Sequence, residues 1–142
     1  MNISDKGLDF IKDMEGIERK AYLDTGGVWT VGVGHTGPDV YEGLVATDQQ
    51  INMWLREDVI DAESAVNRLV LVELTQDQFD ALVSFVFNIG ETAFKKSTLL
   101  RKLNENNFPG ATKEFLRWDK DNGKTIAGLT KRRILESRMF EG

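Results

Sequence analysis

Residues 14–37 read MEGIERKAYLDTGGVWTVGVGHTG, and this stretch decides the fold because it joins the end of a helix to a β-hairpin. Apolar residues recur at helical spacing before it, and Gly16 marks the point where that helix ends. Asp24 begins a run of turn residues, and the residues on either side of the run favour strands. We therefore predict a helix that opens at Ser4 and runs to about residue 14, followed by a hairpin.

The same stretch carries three groups suited to one kind of chemistry, namely the carboxyl groups of Glu15 and Asp24 and the hydroxyl of Thr30. Glycoside hydrolysis uses a protonated acid for the leaving oxygen and an ionised carboxylate for the cation or the water. We expect Glu15 to be half buried beside Met14, as suits a general acid. Ordinary alternatives remain open, because Glu15 also fits a surface group, Asp24 a turn former and Thr30 a β-former.

The composition excludes several classes of site. The chain has 142 residues, no cysteine and one histidine, so it has neither disulfides nor thiolate chemistry. A Ser-His hydrolase would depend entirely on His35, and a zinc site is poorly supplied with ligands. The first 16 residues contain no apolar core of signal-peptide length and no membrane-spanning run. We expect the chain to stay in the cytoplasm of the cell that makes it.

Charge is unevenly distributed along the chain. Residues 1–70 carry six basic and thirteen acidic side chains, whereas residues 95–133 carry eleven basic and four acidic ones. A basic face of this kind suits an anionic polymer such as peptidoglycan or nucleic acid. The net charge of −5 argues against dedicated nucleic-acid binding. Solvated helix faces are the simpler explanation of most of these charges.

Capping signals predict the helices of the rest of the chain. Thr47–Gln50 forms a capping box and opens a helix of about 20 residues, since apolar residues follow at helical spacing. A second capping box, Thr75–Gln78, opens a helix apolar enough to be the central core element. Three further helices are predicted, at about 95–106, 109–118 and 130–140. Residues 17–45 favour a small two- or three-stranded sheet.

Three blocks in the second half carry a family resemblance. QFDALVSFVFNIG at 78–90, AFKKSTLLRKLN at 93–104 and GLTKRRILESRMF at 128–140 resemble recurring blocks of the phage lysozymes, glycoside hydrolase family 24, which include the endolysins. With residues 14–37, the match covers nearly the whole chain. The resemblance implies a muramidase that cleaves the β-1,4 bond between N-acetylmuramic acid and N-acetylglucosamine. It implies no cofactor and no metal.

The resemblance also implies a lysozyme-like α+β fold, mainly α, in one domain of residues 1–142. A helix of residues 1–14 then packs on the C-terminal lobe, residues 15–46 form a small β-sheet lobe, residues 47–70 form the connecting helix, and residues 71–142 form the larger helical lobe. A cleft between such lobes suits a polysaccharide.

Catalytic roles follow from the resemblance position by position. Glu15 corresponds to the general acid, Asp24 to the second carboxylate and Thr30 to the residue that helps to place the water, with inversion at the sugar. Asn88 and Thr36 correspond to substrate-binding positions, although Asn88 also fits a helix C-terminal residue.

Two further pairings are implied by the resemblance. Arg132 matches an arginine that approaches the catalytic Glu15 and contributes to substrate binding, and the alternative is a surface arginine paired with Glu136. His35 is predicted to form a structural ion pair with Asp58, which raises the pKa of His35 in the folded state.

The expected partner is bacterial peptidoglycan, bound by a monomer without nucleic acid or a membrane anchor. Release is expected to depend on a separate membrane-permeabilising protein. Two rival functions use the same fold. A peptidoglycan binder without hydrolysis has no need of the acid, and a lytic transglycosylase breaks the same bond without water. The retention of Asp24 and Thr30 favours hydrolysis over both.

Overall fold

The computed structural model describes all 142 residues. The α-helices are α1 (Asp5–Glu15), α2 (Asp48–Asp58), α3 (Ile60–Leu69), α4 (Gln76–Ile89), α5 (Glu91–Lys95), α6 (Thr98–Asn104), α7 (Phe108–Glu114) and α8 (Ala127–Glu141). The strands are β1 (Glu18–Leu23), β2 (Trp29–Gly32), β3 (Lys120–Asp121) and β4 (Lys124–Thr125). The predicted α+β class, mainly α, is therefore confirmed. None of the helices has both the length and the apolar character needed to cross a membrane.

The chain divides into two compact units. The hairpin unit comprises Leu8–Ile60, and the helical unit comprises Met1–Gly7 together with Asp61–Gly142. The lobe boundaries predicted from the sequence stay a prediction.

The small two- or three-stranded sheet predicted for this region is present with two strands. Strands β1 and β2 pair antiparallel, with Tyr22 opposite Thr30, and an irregularity interrupts the pairing towards Glu18. A third stretch adds only an isolated bridge between Lys20 and Val45. The result is a two-stranded hairpin, and two backbone bonds flank the bridge, from the amide of Ala21 to the carbonyl of Leu44 and from the amide of Ala46 to the carbonyl of Arg19.

The capping box at the start of α2 is confirmed. The side chain of Thr47 accepts a hydrogen bond from the amide of Gln50, whose side chain accepts one from the amide of Thr47. The prediction of one unbroken helix of about 20 residues was wrong, since α2 ends at Asp58 and α3 begins at Ile60. The interruption is confined to Val59, whose amide still donates to the carbonyl of Leu55 at 3.0 Å.

Helix α4 is the central core element of the helical unit, as predicted. Its capping box at Thr75 is present, and the helix packs against α8. Phe85 is fully buried and makes edge contacts with Phe94, Phe115 and Trp118. Aromatic pairs in this geometry add to the stabilisation that burial alone provides. Because α4 and α8 are held tightly together, polar side chains on their facing surfaces are held in fixed positions.

Ser4 opens α1, as predicted from the sequence. Its hydroxyl accepts a hydrogen bond from the amide of Gly7 at 3.1 Å and donates to the carboxylate of Asp80. Asp80 is 1% exposed and also accepts from the amide of Ser4. One cap therefore joins the first turn of α1 to the core helix of the helical unit.

The remaining boundaries differ from the predictions. The helix predicted at 95–106 is shorter and follows a separate short helix, α5. The helix predicted at 109–118 ends earlier and continues as a single 3₁₀ turn, Phe115–Arg117, while α8 begins at Ala127, before residue 130. The sequence analysis missed the hairpin β3–β4. Its turn uses Asn122 and Gly123, whose φ angles of 50° and 79° are those of a two-residue hairpin turn.

Candidate active site

Glu15 is the last residue of α1, and Gly16 explains why the helix ends there. The amide of Gly16 donates to the carbonyl of Lys12 at 2.8 Å, and its φ of 78° is a conformation that side-chain-bearing residues rarely adopt. The expectation that Glu15 is half buried was wrong, because the residue is exposed. A position at the very end of a helix leaves few neighbours of its own element to cover it.

Asp24 organises the turn of the β1–β2 hairpin. Its Oδ1 accepts hydrogen bonds from the amides of Gly26 at 2.8 Å and Val28 at 2.9 Å. Backbone bonds close the same turn, from the amide of Asp24 to the carbonyl of Val28 and from Gly27 to Asp24. Asp24 is thus a turn former, as the alternative interpretation held. Both side-chain bonds use Oδ1, so Oδ2 keeps its lone pairs as a further acceptor on an exposed residue.

Thr30 lies in β2 beneath this turn and is 5% exposed. Its hydroxyl donates to the carbonyl of Val28 at 3.0 Å. The peptide groups of Val28 therefore hold both side chains, since the amide of Val28 binds Asp24 and its carbonyl binds Thr30. The structure brings Asp24 and Thr30 together through one residue. Glu15 belongs to the same unit, on a different element.

His35 lies between two carboxylates. Its Nδ1 is 2.8 Å from Oδ2 of Asp58, the pairing expected from the sequence, and its Nε2 is 3.1 Å from Oδ1 of Asp39. The ring also stacks on Trp54, with centroids 4.6 Å apart. Both ring nitrogens can donate only when the imidazole is protonated, so the site favours the cation.

The pKa of His35 is raised above its ordinary value of 6.5. Burial is the largest single effect and lowers the pKa, but the hydrogen bonds and charges of Asp58 and Asp39 together outweigh it. For Asp39, burial raises the pKa, whereas the hydrogen bond and charge of His35 lower it, and the result lies below the ordinary 3.8. Sequence reasoning missed Asp39, which lies four residues after His35 in a loop.

The helical unit contains a polar cluster on α4 and α8, which we call the Glu136 cluster. It consists of Ser84, Asn88, Arg132, Arg133 and Glu136. Glu136 is fully buried, and its Oε2 accepts from Ser84 at 2.6 Å and from Arg132 Nε at 3.2 Å. Its Oε1 accepts from Arg133 Nη1 at 2.6 Å.

The cluster bears on two predicted substrate-binding residues. Arg132 pairs with Glu136, as the alternative held, but it is buried rather than on the surface. Its approach to Glu15 stays a prediction. Asn88 is exposed in the last turn of α4 and accepts a hydrogen bond from Arg133. Thr36 is exposed in the loop after His35.

No acidic, histidine or cysteine side chains are grouped in a way that could hold a metal ion.

The fold matches those of a solved lysozyme and a solved endolysin. A solved structure of a P22 lysozyme variant superposes with a TM-score of 0.94, covers 100% of this chain and 99% of that one, and is 41% identical. The fold is therefore that of a lysozyme. A sequence profile described as phage lysozyme matches residues 12–136.

Curated relatives agree with the structural match. The endolysin of Acyrthosiphon pisum secondary endosymbiont phage 1 is 48% identical, over 99% of this chain and 99% of that protein. The endolysin of Bacillus phage B103 is 46% identical over 99% of this chain, but the chain spans only 54% of its length. The chain belongs to the phage lysozyme family. It is a hydrolase of the muramidase type, and the substrate of such an enzyme is peptidoglycan.

Proposed function

We propose that the chain hydrolyses the β-1,4 bond between N-acetylmuramic acid and N-acetylglucosamine, with Glu15 as the general acid and with Asp24 and Thr30 positioning the attacking water. The observation that carries the proposal is the shared anchoring of Asp24 and Thr30 on the peptide groups of Val28. A turn former alone would need no hydroxyl fixed beside it.

The hydrogen bonds limit what each group can do to a water molecule. The only proton of the Thr30 hydroxyl is committed to the carbonyl of Val28, so its oxygen meets any other partner as an acceptor. Oδ2 of Asp24 is likewise an acceptor. A water that donates one hydrogen to each oxygen has a lone pair left to attack the anomeric carbon. The three residues thus supply an acid and a site for an oriented nucleophile.

The proposed reaction is a single displacement. The bond between the anomeric carbon and the bridging oxygen breaks while Glu15 gives its proton to that oxygen. The oxygen of the water forms the new bond on the opposite face, and Asp24 takes the released proton. Asp24 then releases that proton to solvent, and Glu15 regains one from solvent. Configuration at the anomeric carbon is inverted.

Substrate contacts from Asn88, Thr36 and Arg132 belong to the same proposal. We also propose that the chain acts as a monomer and is held in the host cytoplasm until a separate membrane-permeabilising protein releases it. Peptidoglycan hydrolysis then begins only after the membrane has been opened. Adding the purified chain to intact cells, with and without a membrane-permeabilising agent, tests that dependence.

The decisive experiment compares the wild type with Glu15→Gln in the clearing of purified peptidoglycan. Loss of a general acid lowers the rate by about 10²- to 10⁴-fold. Glu42→Gln is the matched control, since Glu42 is also an exposed carboxylate of the hairpin unit. Equal melting temperatures establish that all three proteins fold alike. Wild-type rates for Glu15→Gln would place the acid elsewhere, and an inactive wild type would favour a binder.

Product mass separates hydrolysis from transglycosylation. A hydrolase adds one water to each cleaved bond, whereas a lytic transglycosylase adds none. We expect mass spectrometry of the soluble fragments to find products that contain the added water. Products that lack the water would contradict the proposed role of Asp24 and Thr30.

A further inference from the structure

Helix α8 turns charged side chains inward and apolar side chains outward. Its inner face carries Arg132, Arg133 and Glu136, all of which are buried. Ile134 and Leu135 lie on the other side of the helix and are only half-buried. Most helices of folded proteins have the reverse arrangement, because apolar surface gains most from leaving water. The outer face of α8 therefore keeps apolar surface that the rest of the chain covers only in part.

This outer face borders a groove of about 610 Å³. Helix α8 lines the groove with Ala127, Thr130, Lys131, Ile134, Leu135 and Arg138. Residues three, four and seven positions apart fall on the same side of a helix, so these six form one continuous row. The volume lies within the range of about 300–1,000 Å³ that is typical of sites for small molecules.

Two positive charges flank the apolar centre of the row. Lys131 precedes Ile134 and Leu135, and Arg138 follows them, about 10 Å further along the helix axis than Lys131. Both cations are exposed, and neither pairs with a carboxylate, whereas two buried arginines of the same helix pair with Glu136. The groove thus offers apolar contact between two cations that have no anion within the chain.

The size and charge of the groove limit what can occupy it. A stable protein interface takes about 20–30 residues on each side, far more than this groove supplies. A second copy of the chain, packed symmetrically on the same face, would bring Lys131 and Arg138 close to the same two cations of its partner. An amphiphilic anion needs less area, because one hydrocarbon chain covers the apolar centre while the anionic group meets a cation.

We propose that the outer face of α8 binds anionic membrane lipids, with hydrocarbon against Ile134 and Leu135 and headgroup phosphates on Lys131 and Arg138. The stems of lysine and arginine lie along apolar surface while their charged ends reach the headgroups. Because the apolar area is small, the contact is peripheral and reversible. The cytoplasmic leaflet of a membrane is anionic, so this contact holds the chain at that surface. It does not depend on the proposed catalytic residues.

The first test measures sedimentation of the chain with vesicles of phosphatidylglycerol, which is anionic, and of phosphatidylcholine, which has no net charge. We expect binding to the anionic vesicles alone. The double variant Lys131→Gln, Arg138→Gln should bind about 25-fold more weakly, since each cation near an anionic surface contributes about fivefold in affinity. Absence of wild-type binding to either kind of vesicle would overturn the proposal and would favour an acidic protein segment as the occupant.

The matched control is the double variant Lys95→Gln, Lys96→Gln. It removes two exposed cations of the helical unit that also lack an acidic partner, so the net charge of the two double variants is the same. We expect the control to bind within about threefold of wild type. An equal loss of affinity in both double variants would reduce the binding to general electrostatic attraction, and the proposal would be wrong.

The second test asks whether the apolar centre of the groove contributes. Ile134→Thr keeps the branched shape but places a hydroxyl in the groove, and Ile60→Thr makes the same change at an exposed isoleucine of α3. The affinity for anionic vesicles should fall about fivefold in Ile134→Thr and stay within about twofold in Ile60→Thr. Wild-type affinity in Ile134→Thr would contradict the insertion of hydrocarbon.

A third test locates the contact on the chain. Because the sequence has no cysteine, a single introduced one can be labelled alone. An environment-sensitive fluorophore on Leu135→Cys should shift to shorter wavelength when anionic vesicles are added, and the same label on Ile60→Cys should not. A label at Leu135→Cys that stays in water while the chain sediments would place the contact on another face and overturn the proposal.

Two checks accompany every variant of this series. Melting temperatures equal to that of the wild type establish that each variant is folded. Clearing rates on purified peptidoglycan, which contains no lipid bilayer, should equal the wild-type rate. Failure of lipid binding with normal clearing rates would therefore overturn this inference and leave the proposed function intact.

Discussion

The β1–β2 turn and the Glu136 cluster both hold polar side chains in one orientation, but they use different partners. In the turn, Asp24 and Thr30 are bound by backbone groups, and Asp24 stays exposed. In the cluster, Glu136 is fully buried and is bound by a hydroxyl and two guanidinium groups. Backbone bonds need no charge on the side chain, whereas buried charges need each other. Removing the charge of Asp24 should therefore change activity, and removing that of Glu136 should change stability.

The largest expected effect is on the stability of the helical unit. Glu136→Ala removes the carboxylate that two buried arginines contact, and breaking a buried pair in this way costs about 3–5 kcal/mol. Denaturant unfolding measures the loss, with Glu141→Ala as a control because Glu141 is exposed on the same helix. If Glu136→Ala unfolds at the same denaturant concentration as wild type, the Glu136 cluster does not stabilise the helical unit as expected.

The next largest expected effect is a lower clearing rate at an unchanged melting temperature. Asp24→Asn keeps an oxygen that accepts from the amides of Gly26 and Val28, so the melting temperature should hold. We expect the clearing rate to fall about 10²-fold or more, because the charge that takes the proton from water is lost. Asp24→Ala should lose the turn bonds as well and melt earlier. Equal activity of Asp24→Asn and wild type would reduce Asp24 to a turn former.

A smaller and mixed effect is expected at Thr30. Valine has nearly the same shape as threonine but no hydroxyl, so Thr30→Val loses the hydrogen bond to Val28. This loss should lower the free energy of unfolding by about 1 kcal/mol. The clearing rate should also fall, since the water loses one acceptor. Thr30→Ser restores the hydroxyl and should recover most of the rate. Loss of stability without loss of rate in Thr30→Val would confine Thr30 to holding the strand.

The smallest effect is a change in the pH dependence of stability. The folded-state pKa of His35 is raised, so its contribution is fully present below the unfolded value of 6.5 and is lost as pH rises through the folded value. The pKa of Asp39 is lowered, so its contribution is present above 3.8 and is lost as pH falls through its folded value. His35→Asn should therefore lower the free energy of unfolding most between pH 3.8 and pH 6.5. Melting curves with the same pH profile for both proteins would contradict the pairing.

Short sequence motifs predicted the features of the fold that depend only on neighbouring residues. Both capping boxes, at Thr47 and Thr75, are present because each is completed within four residues. The β3–β4 hairpin was missed although Asn122 and Gly123 form a strong turn signal, because strands of two residues carry no readable alternation.

Burial could not be read locally at the site. Glu15 was expected to be half buried from its place at a helix end, and it is exposed because coverage depends on tertiary neighbours. At Glu136, in contrast, local reasoning gives too little burial. The alternative interpretation of Arg132 pairs it with Glu136 on the helix surface, yet Glu136 is fully buried, because α8 has no single apolar stripe to mark its inner face. Asp39 approaches His35 through a loop, for which no periodicity exists.

The turn at Asp24 holds its shape with one carboxylate oxygen, and an amide would hold it equally well. Aspartate and asparagine codons differ by a single base. Under the proposed role of Asp24, a folded protein that has lost hydrolysis is therefore one point mutation away from this chain, and selection for folding alone would not remove it. Descent within such a family can pass from enzyme to wall-binding protein without an unfolded intermediate, and the hairpin would carry no trace of the change beyond that one residue.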